Sequence, residues 1–123
     1  MQAYAPELNT AMEQWSRVYD VGACDVQAVS AVVADGAAYA ALCGDTPSKG
    51  CHSIAPRPDR HVLVINAQWA NEARNTITHE AMHWLSQCSG TYRDDQPAHD
   101  DPLIWRRGGI LDRTDQALDL PHD

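Results

Sequence analysis

The chain has little of what marks several common classes of protein. Lys49 is its only lysine, and 17 acidic residues against 9 basic ones leave a formal net charge of −8. The clustered basic footprint of a nucleic-acid binder is missing, so no nucleic-acid partner is expected. No stretch approaches the ~20 apolar residues of a membrane span, and Met1-Gln2-Ala3-Tyr4-Ala5-Pro6 lacks both the basic start and the apolar run of a signal peptide. No Cys-x-x-Cys pair is present, which disfavours a zinc ribbon or a redox dithiol. There is no internal repeat and no low-complexity tract. The 123 residues suit one domain, 1–123, in which a single core carries both site and scaffold.

What is there begins with four scattered cysteines, Cys24, Cys43, Cys51 and Cys88. An even number in a small domain suits two disulfides and hence an oxidising location, secreted or periplasmic, with a leader removed from a longer precursor. Four buried thiols in a cytosolic protein is the competing reading. Of the three pairings, Cys43 with Cys51 is favoured because it closes the turn Gly44 to Gly50, leaving Cys24 for Cys88.

Apolar periodicity supplies the elements. Leu8, Met12, Trp15 and Val18/Tyr19 predict an amphipathic helix from Pro6, expected to pack on a sheet. The Val- and Ala-rich segment Cys24 to Leu42, broken at Asp35-Gly36, reads as two strands with a hairpin turn, or as a strand followed by a helix; two strands are favoured. Cys43 to Asp59 is loop-like, with a short edge strand at Cys51-His52-Ser53-Ile54-Ala55 as an option. His61-Val62-Leu63-Val64-Ile65-Asn66 reads as a central strand buried on both faces. Ile77, Ala81, Trp84, Leu85 and Cys88 form the stripe of a core-packed helix with a stop at Gly90. Leu103-Ile104-Trp105 gives a last apolar anchor, and the tail from Arg106 reads as irregular apart from a short helix at Gln116-Ala117-Leu118. The fold class is α+β, a small mixed sheet with an N-terminal helix and a second, motif-bearing helix.

That second helix carries His79-Glu80-Ala81-Met82-His83. Two histidines four apart project from one face about a turn apart, where both can ligate one metal ion. Glu80 can then act as general base on a water that the metal activates. Independent placement of 6 histidines and 4 glutamates yields about 0.01 such patterns in a chain of this length. On a helical wheel with Ile77 at zero, the apolar stripe spans roughly 340° to 80°, while the two histidines fall near 200° and 240°. They face away from the stripe, against the alternative that they are packed core residues.

The pattern His-Glu-x-x-His resembles that of the zincin metallopeptidases. This resemblance implies a Zn2+ ion, a peptide or protein substrate, and a small mixed sheet whose edge strand aligns that substrate before the active-site helix. About two-thirds of the chain follows this element order, but only the five-residue motif is specific. Metzincins continue with a glycine and a third histidine where this chain has Ser86 and Ser89, and no methionine follows Met82. Gluzincins take a downstream glutamate, yet Glu7, Glu13, Glu72 and Glu80 are the only glutamates. Aspzincins use Gly-Thr-x-Asp, which Gly90-Thr91-Tyr92-Arg93-Asp94 echoes with one residue too many, leaving Asp94 a minor candidate.

The remaining third ligands are His99 and the aspartates Asp94, Asp95, Asp100 and Asp101. His99 is favoured, because imidazole is a common zinc ligand, the loop after His83 is long enough to turn back, and Asp100 and Asp101 can orient the ring. Asp101 ranks second, and the terminal His122 and Asp123 are disfavoured. Tyr92, Arg106 and Arg107 are candidates to stabilise an oxyanion; Trp69, Trp84 and Trp105 flank the site segments. His52 and His61 are read as structural or exposed. The expected function is zinc-dependent peptide hydrolysis by a monomer, with His79, His83 and His99 on the metal and Glu80 as base. The alternatives are a catalytically silent metal- or partner-binding domain and a zinc hydrolase of a non-peptide amide.

Overall fold

A computed structural model describes residues 4–45, 48–53, 61–91 and 99–120. In chain order the main elements are α1 (Ala5–Ser16), β1 (Val29–Ala34), α2 (Gly36–Cys43), β2 (Gly50–Ser53), β3 (His61–Asn66), α3 (Ala73–Cys88), α4 (Pro102–Trp105) and α5 (Ile110–Ala117). A 3-10 turn leads into β1 at Val26–Ala28, and a longer 3-10 segment kinked at Trp69 fills Ala67–Glu72 between β3 and α3. The class is α+β, as expected.

The sheet is mixed, in the order β1-β3-β2, with β1 parallel and β2 antiparallel to β3. Leu63, Val64 and Ile65 of β3 are all fully buried. Three consecutive buried residues require both faces of the central strand to be covered, because side chains alternate along it. The register places Val29, Leu63, Ile65, Gly50 and His52 on one face. That face packs on α3, while Val64 and Cys51 point to the opposite face, where α2 lies.

The segment Cys24 to Leu42 is a strand and then a helix, not a hairpin. The β-branched residues Val29, Val32 and Val33 go to β1, whereas Ala37, Ala38, Ala40, Ala41 and Leu42 form α2, in line with their intrinsic preferences. Gly36, at φ 49°, begins the helix instead of turning a hairpin, and Gly44, at φ 87°, ends it.

Helix α1 does bury Leu8, Ala11 and Trp15, and its main packing partners are α3 and α5 rather than the sheet. Glu7 is buried on the same side and receives Nε of Arg74, from α3, at 2.8 Å. The tail from Arg106 is likewise more ordered than its polar composition suggested. It forms α5, with Ile110 and Thr114 fully buried and Asp115 accepting from Thr78 Oγ1 at 3.0 Å. The sequence alone did not reveal this helix because only Ile110 and Leu111 mark its apolar side.

Disulfides join Cys24 to Cys88 and Cys43 to Cys51, and no cysteine is free. The favoured pairing holds, and the free-thiol reading falls. With sequence separations of 64 and 8, the chain-entropy relation gives about 4 and about 2.5 kcal/mol of stabilisation. The first ties the loop after α1 to the end of α3, the second α2 to β2. Disulfides suit an extracellular location. Among the described residues, no helix is long and apolar enough to cross a membrane.

Candidate metal centre

The site is built on α3. Ile77, Ala81, Trp84 and Leu85 anchor the helix in the core, and this fixes the azimuth of every other side chain on it. Thr76, Thr78, Glu80, Met82, His83 and Ser86 are also buried, so the helix is enclosed around most of its circumference, not on one stripe alone. The two histidines line an open cavity, with His83 only 5 % exposed and His79 partly exposed. Their ring centroids lie 5.5 Å apart, as two side chains one turn apart should.

His99 comes back to this pair from beyond the helix. Its ring centroid is 4.7 Å from that of His83 and 6.1 Å from that of His79. Trp105 of α4 stacks on His99 at 5.5 Å and tilts against His79 at 4.9 Å. One ligand atom from each of His79, His83 and His99 can be chosen so that all three lie within 4.8 Å of one another. Bonds of about 2.0–2.1 Å to one ion would require the rings to draw closer together than this spread.

The surroundings of His79 prepare its ring for a cation. Burial, and then the neighbouring His83 and His99, push the pKa of His79 down to about 4. Its imidazole is therefore neutral at physiological pH, the form in which a histidine binds metal. Three imidazole donors suit zinc, copper, iron or nickel, and three protein donors leave a coordination position open. The donor set fits a metal ion with room for a further ligand.

Glu80 is buried between the two ring systems. Its Oε1 lies 3.9 Å from Nε2 of His83 and its Oε2 lies 3.9 Å from Nε2 of His79. The carboxylate thus lies close to a ring nitrogen of each histidine.

Asp101, the second-ranked ligand, is not part of this cluster. Its Oδ1 accepts from the backbone N of Leu103 at 2.8 Å, capping α4, and its Oδ2 accepts from the hydroxyl of Tyr19. Asp100 is exposed, as are Arg106 and Arg107. Asp94, Asp95, Tyr92, His122 and Asp123 lie outside the described residues. Of the three flanking tryptophans, Trp84 is core, Trp69 carries Lys49 over its ring at 5.1 Å, and Trp105 alone reaches the histidines.

A cavity of about 390 Å³ opens on the cluster, lined by Leu42, Cys43, Gly50, Cys51, His52, His79, Glu80, His83 and His99. Because Gly50 and His52 belong to one face of β2 and Cys51 to the other, the cavity wraps the outer edge of that strand. His52, read from sequence as structural or exposed, thus lines this cavity. Its Nε2 lies 2.8 Å from Nδ1 of His61, and the two rings are nearly parallel. Only the β2–β3 register brings them together, and no spacing in the sequence announces it. No protein-family model, curated protein or solved structure matches this chain, so the site is read from its own residues.

Proposed function

We propose that the protein is a zinc-dependent peptide hydrolase, with the metal held by His79, His83 and His99 and Glu80 as general base. The observation that carries this reading is the buried Glu80 carboxylate, 3.9 Å from Nε2 of both His79 and His83, beside a three-histidine donor set. A zinc ion bound there would polarise the scissile carbonyl and lower the pKa of water. Glu80 takes the proton of the attacking water and returns it to the leaving amine. An extended peptide suits the cavity, which follows the edge of β2 away from β3, where backbone groups can pair with an incoming strand. The two disulfides favour work outside the cytosol, in a secreted or periplasmic setting.

The test is to incubate zinc-loaded protein with a denatured protein mixture and identify new N-termini by mass spectrometry. Wild type should generate them, and Glu80→Gln should retain its zinc while losing about 10²–10⁴-fold in rate, the usual contribution of a general base. Unchanged turnover by that variant rejects the mechanism. Zinc binding with no cleavage by wild type favours the silent binding domain, and cleavage of small amides alone favours the non-peptide hydrolase.

A further inference from the structure

We propose that His52, held by His61, donates a hydrogen bond to the carbonyl oxygen of the bond being cleaved, across the cavity from Glu80. The inference rests on the hydrolase reading and adds to it the group that stabilises the oxyanion.

Position comes first. Gly50 lies so close under α3 that a Cβ there would sit 2.4 Å from Cγ2 of Thr76 and 3.6 Å from Cγ of Glu80. The absence of a side chain lets β2 lie directly against the motif helix. His52, two residues on and on the same face of the strand, then lines the cavity with His79, Glu80, His83 and His99.

Chemistry narrows the choice. Apart from the three candidate ligands and Glu80, the cavity is lined by Leu42, Gly50, the disulfide-bonded Cys43 and Cys51, and His52. Among the described residues, His52 is therefore the only other lining side chain able to donate a hydrogen bond to a developing oxyanion. Arg106 and Arg107, whose chemistry also suits this role, are exposed and do not line the cavity.

Orientation is supplied by His61. His52 pairs with Leu63 in the ladder, which makes His61 its diagonal neighbour on the same face. The rings lie nearly parallel and edge to edge, with a centroid distance of 5.0 Å and 15° between planes. In the tautomer proposed, Nδ1 of His61 donates to Nε2 of His52 across 2.8 Å, which leaves the His52 proton on Nδ1. A donor fixed in direction before substrate arrives is what oxyanion stabilisation requires. His61 acts as a positioning residue.

The experiment uses the zinc-loaded full chain with labelled casein as substrate, comparing wild type, Glu80→Gln, His52→Ala, His52→Gln and His61→Ala. His52→Ala should lose about 10²–10³-fold in kcat, as expected for one oxyanion donor, with zinc content unchanged and KM within about threefold. His52→Gln, which keeps an N–H, should recover part of that loss, and His61→Ala should fall between. Side-chain 15N NMR of wild type should show Nδ1 of His52 protonated. Full kcat in His52→Ala, or a bare Nδ1 on His52, overturns the inference while leaving the hydrolase reading intact if Glu80→Gln is inactive. No cleavage by wild type overturns both.

Discussion

The hydroxyl of Tyr19 donates a 2.5 Å hydrogen bond to Oδ2 of Asp101, a residue 82 positions away. Asp101 is buried, and its other oxygen caps α4. The pair therefore fixes the path of the chain on either side, with His99 two residues before and Trp105 four residues after. Removing the hydroxyl in Tyr19→Phe leaves a buried carboxylate with one partner fewer, a loss of about 1–3 kcal/mol. Urea unfolding should show that loss. Metal titration of the folded variant should show weaker binding by about 10–100-fold, the range for groups that orient a ligand. An unchanged metal affinity would mean that His99 is placed by other contacts.

His99 and Asp101 separate cleanly in a second comparison. His99 stands with His79 and His83, whereas the carboxylate of Asp101 is engaged by Tyr19 and Leu103. His99→Ala should lower zinc affinity by more than the ~10–100-fold expected of an orienting group, with little change in the unfolding midpoint of the metal-free protein. Asp101→Asn should do the reverse, lowering stability more than affinity. Zinc content measured after dialysis, beside denaturation curves in EDTA, distinguishes the two. The opposite pattern would make Asp101 the ligand.

The sequence was informative where chemistry or periodicity is local. His79, Glu80 and His83 are a pattern of five residues, β3 is a run of β-branched and aliphatic side chains, and both follow from one element's own residues. His99 could be ranked among nearby aspartates only by its chemistry, its flanking carboxylates and the length of the loop after His83, because nothing local shows where that loop turns back. His52 was missed for a stronger reason: its place at the cavity depends on how β2 registers against β3 and how closely Gly50 lets α3 approach. The N-terminal helix was recognised, but its packing partner was not, since an apolar stripe does not say whether a sheet or a helix covers it. Alanines misled between Gly36 and Cys43, where the absence of β-branched residues outweighed the turn signal of Asp35-Gly36.

The depressed pKa of His79 makes a pH prediction for the metal-free protein. In the unfolded chain this ring titrates near 6.5, and in the fold near 4. Between those values the unfolded state binds a proton that the folded state refuses, so stability falls as pH drops from 6.5 towards 4 and is unaffected by this group above that window. With the side chain 41 % exposed, solvent screens part of the effect, and the direction is what is tested. Denaturation in EDTA at steps from pH 7.5 to pH 4 should show wild type losing stability relative to His79→Gln as the pH falls. A constant difference across that range would contradict the neutral, desolvated ring.

Gly50 offers a test of how the site is held together. A methyl group at this position would lie 2.4 Å from Thr76 Cγ2 and 2.7 Å from the carbonyl oxygen of Val64. The carbonyl belongs to the central strand and cannot give way as a side-chain tip can. Gly50→Ala must then push β2 off α3, at a cost of about 1–3 kcal/mol for overpacking. Because β2 carries His52 while α3 carries His79, Glu80 and His83, the two walls of the cavity separate. Metal affinity should change little, since His79, His83 and His99 are not on β2, whereas peptide turnover should drop markedly. The double variant Gly50→Ala/Thr76→Ser, which removes the methyl group that clashes first, should recover part of the stability. Failure of Thr76→Ser to recover any would assign the strain to the Val64 carbonyl alone.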